Sequence, residues 1–199
     1  MFSYVPNEES KGFRVFCSDK LNQLKQNLKN QGIEVNYYLV GSGMKNLVTR
    51  NGNENYDLDY NIEFLNRSIS QLNPQKTKDY IMNFLNGITI GKKTVFKNCQ
   101  DSTSAITARL VRNGNLEFSF DVAILAKNKD SDFCRLIHNK KAGENSFHWD
   151  KIPKSKKVYK RFEILKRDKH FEELKKIYLN KKNFYLFHND HYHSSFTIF

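Results

Sequence analysis

Tyr37-Tyr38-Leu39-Val40-Gly41-Ser42-Gly43, followed at a short interval by Tyr56-Asp57-Leu58-Asp59-Tyr60, is the stretch from which the fold can be read. A run of β-branched, aromatic and aliphatic residues enters a Gly-Ser turn, and a second strand then carries two carboxylates one residue apart. Residues i and i+2 of a strand share a face, so Asp57 and Asp59 project side by side while Leu58 turns into the core. Two neighbouring carboxylates repel unless a cation lies between them, and clustered oxygen ligands suit a hard divalent ion. A Gly-Ser turn leaves backbone N–H groups free to approach phosphate oxygens. The two motifs together point to metal-dependent nucleotide chemistry.

A third carboxylate lies further on. In Leu116-Glu117-Phe118-Ser119-Phe120-Asp121-Val122-Ala123-Ile124-Leu125 a period of two puts Phe118, Phe120, Val122 and Ile124 on one face and Glu117, Ser119 and Asp121 on the other. Upstream, Ala105 to Arg112 reads as a strand joined to it by Asn113-Gly114-Asn115, a hairpin signal because Asn and Gly tolerate positive φ. Asp121 is therefore within reach of a neighbouring strand. Arg109 faces the same site if its strand alternates inward with Thr107.

Val40-Gly41-Ser42, Asp57-Leu58-Asp59-Tyr60 and the later Asp121 resemble the signature of the DNA polymerase β-like nucleotidyltransferase superfamily: a hydrophobic residue, Gly-Gly or Gly-Ser, an interval, Asp-h-Asp with h hydrophobic, and a third acid on a later strand. The resemblance covers residues 18–125. Its one departure is a long interval between Ser42 and Asp57, where Arg50-Asn51-Gly52-Asn53-Glu54-Asn55 is expected to be a loop. Cys99-Gln100-Asp101-Ser102-Thr103-Ser104-Ala105 and Tyr178-Leu179-Asn180-Lys181-Lys182-Asn183 are similar to segments of small bacterial proteins of the same superfamily.

The resemblance implies an α/β (α+β) fold, a mixed β-sheet nucleotidyltransferase core over residues 1–138 flanked by helices, with a basic C-terminal helical region, 139–199, packed on it. It implies an enzyme that transfers a nucleoside monophosphate from a nucleoside triphosphate to an acceptor hydroxyl and releases pyrophosphate. Asp57, Asp59 and Asp121 would be the catalytic residues and the ligands of two Mg2+ or Mn2+ ions, and Gly41, Ser42 and Gly43 would meet the triphosphate. Lys45, at the start of the following helix, is a further phosphate candidate. Lys181 and Lys182 are others, because related enzymes often place a Lys on a C-terminal helix; a basic helix end complementing its own dipole is the competing reading. RNA is the acceptor that a basic chain fits. The alternatives are an antibiotic-like small molecule, a protein side chain, or a nucleic-acid-binding or toxin/antitoxin-type protein that kept the fold without the chemistry.

Composition agrees with a phosphate-handling protein. The chain of 199 residues is long enough for a core, and its net charge of +12 concentrates polyanions at its surface. Cys17, Cys99 and Cys134 are odd in number and widely spaced, so neither a disulfide framework nor a zinc site is signalled. With no basic-then-apolar leader and no run long enough for a bilayer, a cytoplasmic protein with no membrane partner is expected.

The remaining elements follow from periodicity and breakers. A helix from Ser18 with Leu21, Leu24 and Leu28 on one stripe ends at Gly32, and strand Glu34 to Val40 follows. A short helix is expected around Met44 to Thr49, a strand over Asp57 to Phe64, a helix from Pro74 to Asn86 and a short strand over Arg135 to His138. Pro153 precedes a basic helical region decorated by Lys154, Lys156, Lys157, Lys160, Arg161, Lys166 and Arg167. His188, Asp190, His191 and His193 match no strong metal spacing and read as a polar tail, and Ser102-Thr103-Ser104 reads as a turn satisfying local backbone groups.

Overall fold

The alternation expected around Asp57 and Asp121 builds the two central strands of a mixed sheet. The computed structural model describes residues 1–90, 93–94, 96, 99–112, 115–141, 145–153, 163–165, 167 and 170–188. In chain order its elements are β1 (Phe2–Tyr4), α1 (Asn7–Lys29), β2 (Val35–Val40), α2 (Gly41–Met44), β3 (Thr49–Asn51), β4 (Asp57–Ser68), a 3-10 turn (Ile69–Gln71), α3 (Pro74–Asn86), β5 (Thr89–Ile90), β6 (Lys93–Thr94), β7 (Gln100–Asp101), β8 (Ile106–Arg112), β9 (Asn115–Lys127), β10 (Phe133–Asn139), β11 (Ser146–Lys151) and α4 (Phe171–Phe187). The basic residues Lys154, Lys156, Lys157, Lys160, Arg161 and Lys166, the hairpin residues Asn113 and Gly114, and Asp190, His191 and His193 lie outside the described residues.

Among the described residues, seven strands form the main sheet, in the order β11-β10-β9-β4-β2 with β8 on β9 and β7 on β8. The β4–β9 pair is parallel and every other pair is antiparallel. β9 is long enough to serve two partners on one edge: β8 pairs with its first part, Asn115 to Val122, and β10 with its last, Leu125 to Lys127. Asp121 thus lies between Thr107 of β8 on this edge and Asp59 of β4 on the other, with β10 joining the edge four residues further on.

One face of the sheet is the core. Leu58, Tyr60, Ile62 and Phe64 of β4 and Phe118, Phe120, Val122 and Ile124 of β9 are buried there, against Cys17, Leu21, Leu24 and Leu28 of α1 and Ile81 and Leu85 of α3. Ring packing fixes the register further: Phe13 stacks on Phe118 with centroids 4.5 Å apart, and Phe96 meets Phe120 edge-on at 5.3 Å. The other face of β4 and β9 carries the acids.

Helix α1 begins at Asn7, well before the Ser18 expected as its cap, because Phe13 and Cys17 continue the apolar stripe upstream and Glu8 and Glu9 favour the first turn. Its end is as expected: Gly32 is at φ +73°, with Ile33 N–H donating to Leu28 O at 3.0 Å and Gly32 N–H to Lys29 O at 3.0 Å, a Schellman stop. Helix α3 has the expected bounds, capped by Asn73, whose side chain accepts from Lys76 N–H at 2.9 Å. The short helix starts at the Gly-Ser turn itself rather than near Met44, and Arg50, expected in a loop, lies on β3 with its guanidinium on Glu9 at 2.8 Å. The sheet also continues past His138 through β11, which pairs with β10 from Cys134 to Asn139.

The Asp101-Ser102 segment has a structural role. Lys78 is buried on α3, where its ammonium meets the Asp101 carboxylate and donates to Ser102 O at 2.5 Å; Asp101 Oδ2 lies 2.5 Å from His138 Nδ1. A buried ammonium requires such partners, and this set ties α3 to β7 and β10. Ser102 Oγ donates to Ala105 O at 3.0 Å, closing the turn as anticipated. All three cysteines are free thiols. Among the described residues no helix is long and apolar enough to cross a membrane.

Candidate active site

The Gly-Ser turn sits directly against the acidic strand. Val40 at the end of β2 pairs with Asp59, and the chain then turns through Gly41 at φ +61°. A Cβ on Gly41 would lie 2.6 Å from Asp59 Oδ2, so both the conformation and the space demand glycine. Gly43 answers to a different constraint. It is buried, and a Cβ there would meet Leu39 Cδ1 at 2.9 Å and Leu58 Cδ2 at 3.2 Å, so its lack of a side chain lets α2 settle on the core. Ser42, half-buried between them, accepts from Leu47 N–H at 2.9 Å through its carbonyl. Lys45 is half-buried beyond α2, and burial lowers its pKa.

The parallel pairing aligns the acids row by row. Asp59 stands opposite Asp121, and Asp57 opposite Ser119. Leu58, between the two acids of β4, is fully buried, which fixes both carboxylates on the opposite face. Thr107 Oγ1 donates to Asp121 Oδ1 at 2.5 Å, and Ser119 Oγ donates to Asp57 Oδ1. Burial, then Asp121 and Asp57, push the Asp59 pKa up to about 6 against the opposing pull of Arg135 and Lys182. Asp121 is also raised, by burial first and by Asp57, with the Thr107 hydrogen bond and Arg109 acting in the other direction.

Among the described residues no three His, Cys, Asp or Glu side chains already converge as a metal cage, because the outer two acids are each turned toward a hydroxyl on the adjoining strand. The donor set nevertheless fits a hard divalent cation. It consists of carboxylate oxygens, with Asp59 held in register against Asp121, and burial followed by the charges of Asp121 and Asp57 raises the Asp59 pKa. Asp57, Asp59 and Asp121 are the residues that would hold such an ion.

Helix α4 brings one of the two expected lysines to these acids. Asn183 clamps β1 through both amide atoms, accepting from Phe2 N–H at 2.5 Å and donating to Phe2 O at 3.2 Å, while Tyr4 OH donates to Lys175 O at 2.7 Å. Tyr178 is buried against Leu47, with Tyr4, Phe171, Leu174 and Tyr185 packed around them. So docked, Lys182 donates to Thr49 Oγ1 at 2.7 Å, with its ammonium 4.5 Å from the Phe2 ring centroid and 5.5 Å from that of Tyr178. Burial lowers its pKa and the charges of Asp57 and Asp59 raise it, which places it in their field. Lys181 is exposed. Lys182→Ala is expected to weaken triphosphate binding about 10- to 100-fold, the worth of a charge-assisted hydrogen bond, and Lys181→Ala less than about twofold. Calorimetric titration with a non-hydrolysable triphosphate in Mg2+ checks both.

Thr107 and Arg109 both fall on the acid-bearing face, since they pair with Asp121 and Ser119. Ser119, Thr49 and Arg135 belong to the site without having been singled out from the sequence. Parity alone places Ser119, two residues before Asp121; Thr49 and Arg135 come from elements whose neighbours only the tertiary structure reveals. His188 ends α4 with its ring against Phe184, 4.1 Å between centroids.

A mixed sheet that carries Asp-h-Asp on one strand, a third acid in register on the next and a Gly-Ser turn abutting them is the nucleotidyltransferase fold, and the chain has it. The solved structures similar to it include Vibrio cholerae DncV in its GTP-bound form, with 13% identity over 74% of this chain and 37% of that one and a TM-score of 0.51. DncV with the linear intermediate 5′ pppA(3′,5′)pG matches at 12% identity, 76% and 41% coverage and a TM-score of 0.52; with nonhydrolyzable GTP the values are 12%, 76%, 39% and 0.52. DncV is a cyclic AMP-GMP synthase and a prokaryotic cGAS homolog. The chain thus spans 37% to 41% of the length of these structures. No protein-family model matches the sequence, and no curated protein matches it.

Proposed function

We propose that this chain is a metal-dependent nucleotidyltransferase, which moves a nucleoside monophosphate from a nucleoside triphosphate to an acceptor hydroxyl and releases pyrophosphate. The observation that carries the reading is the register of Asp59 with Asp121 on adjacent parallel strands, with Gly41 packed on the Asp59 carboxylate and Lys182 in the field of the same acids. Similarity to DncV, solved with GTP and with a linear intermediate, supports nucleoside triphosphates as donors. Divalent ions bound by Asp57, Asp59 and Asp121 would acidify the acceptor hydroxyl and stabilise the developing charge on the leaving group. The chain's own groups do the rest. Ser42 and the turn beside it receive the phosphates, and Lys182 Nζ adds a positive charge there.

Asp121 is the residue we assign to the acceptor proton. Thr107 occupies Oδ1, leaving Oδ2 for the acceptor hydroxyl, and a raised pKa makes the carboxylate a better base. Asp121→Asn is therefore expected to lower the single-turnover rate by more than about a hundredfold while changing triphosphate affinity much less. An unchanged rate in a folded variant would remove that role. RNA is the acceptor class the chain's net charge of +12 favours. The function as a whole is tested by incubating the protein with each α-labelled nucleoside triphosphate, Mg2+ or Mn2+, and total cellular RNA or protein. Labelled RNA is the expected outcome, labelled protein would move the acceptor to a side chain, and no labelled species with any triphosphate would count against transfer.

A further inference from the structure

The three acids occupy two rows of the sheet, and each outer acid has a hydroxyl beside it on the next strand. In one row Asp57 of β4 lies against Ser119 of β9; in the next, Asp59 lies against Asp121, and Asp121 against Thr107 of β8. Paired residues of neighbouring strands share a face, so both hydroxyls stand on the acid-bearing side of the sheet. Ser119 Oγ donates to Asp57 Oδ1, and Thr107 Oγ1 donates to Asp121 Oδ1 at 2.5 Å. Asp59, between Val40 and Asp121 in its own row, faces no hydroxyl across either strand.

Both contacts follow from the strand register, with a short side chain that has little room to wander. A hydroxyl carries one proton, and here that proton is committed to the acid. An ionised carboxylate accepts at about four lone-pair sites, so one bond at Oδ1 leaves Oδ2 open to a cation. Ser119 is buried, so water competes little for its bond to Asp57. Without these bonds the two outer carboxylates would be free to rotate away from their charged neighbours, and a cation would have to gather them again. Side chains that orient metal ligands through hydrogen bonds typically change metal affinity by about 10- to 100-fold.

We propose that Ser119 and Thr107 are positioning residues for the divalent-ion site: each fixes one oxygen of an outer acid so that the other is held ready for the ion beside Asp59. This rests on the nucleotidyl-transfer reading and extends it to two side chains that act only through the acids. The competing effect has the opposite sign. A hydroxyl that merely took the ion's place on the carboxylate would have to be displaced, and its removal would tighten ion binding.

The test follows the melting temperature of the full chain as Mn2+ is titrated in, because an ion that binds the folded state raises it in proportion to occupancy. Thr107→Val and Ser119→Ala are each expected to need about 10- to 100-fold more Mn2+ than wild type for the same rise, and Thr107→Ser, which restores the hydroxyl, to recover most of the loss. A purely structural hydroxyl would change the melting temperature in chelator and leave the Mn2+ dependence where it was. Circular dichroism establishes which variants fold, and either one alone decides its own residue. The proposal is overturned if folded Thr107→Val and Ser119→Ala respond to Mn2+ at wild-type concentrations or lower, or if Thr107→Ser behaves like Thr107→Val. It is also overturned if Thr107→Cys or Ser119→Cys gains stabilisation by Cd2+ over wild type, since a soft cation drawn to the new thiolate would make the hydroxyl position a direct ligand. Absence of any Mn2+ effect on wild type would overturn the ion site of the nucleotidyl-transfer reading, and this inference with it; a wild-type effect that the variants share unchanged overturns the positioning role alone.

Discussion

Replacing Asp59 by asparagine is expected to abolish transfer and, in metal-free buffer near neutrality, to make the protein more stable than wild type. The two effects share one cause. Burial and the charges of Asp121 and Asp57 raise the folded-state pKa of Asp59 to about 6, against about 3.9 for an unfolded aspartate. A carboxyl raised in the folded state is favoured there when protonated, so its contribution is fully present below about pH 4 and is lost as pH rises through about 6. At neutral pH the ionised group then costs about 2 kcal/mol, after discounting for its partial exposure. Asparagine has nearly the same shape and carries no charge. The difference in melting temperature between variant and wild type should therefore grow between about pH 4 and 6 in chelator and level off above. Mg2+ should raise the melting temperature of the wild type and not that of the variant, because ion binding to the folded state is what the carboxylate supplies. Turnover should fall more than about a thousandfold, the equivalent of about 4 kcal/mol of transition-state charge stabilisation. A folded Asp59→Asn protein with wild-type turnover would remove this acid from the chemistry.

Gly41→Val should be nearly as damaging, for steric reasons. At φ +61° an L-residue costs about 1–2 kcal/mol, and the new Cβ would lie 2.6 Å from Asp59 Oδ2. Relief requires moving either the phosphate turn or the carboxylate, and both belong to the site. Triphosphate affinity in Mg2+ should fall more than about tenfold and turnover more than about a hundredfold, since small misplacements of reacting groups are costly. Circular dichroism separates this from unfolding. Wild-type affinity in a folded variant would place the phosphates elsewhere.

These two residues were legible in the sequence because strand alternation and glycine chemistry are local. The same holds for Asp57, for Asp121 and for the hairpin strands that carry Thr107 and Arg109. Strands β1 and β3 were missed because three residues such as Phe2–Tyr4 are too few to display a period. β11 was missed because its alternating Phe147 and Trp149 are interleaved with His148 and Asp150, which read as surface. Gly43 looked like a second phosphate glycine, and only its contacts with Leu39 and Leu58 reveal a packing requirement. Lys181 and Lys182 could not be separated by composition: adjacent helical residues point about 100° apart, and the choice is made by Asn183 gripping the backbone of Phe2, far away in sequence.

The central claim is that these acids move a nucleotidyl group rather than a terminal phosphoryl group. It is tested most directly by following ATP labelled at the α or at the γ position, with Mg2+ and the acceptor, in wild type and in Asp57→Asn. The account predicts α label on the acceptor and γ label in pyrophosphate for the wild type, and neither product for the variant. Label from the γ position on the acceptor, or α label transferred equally well by folded Asp57→Asn, would contradict it.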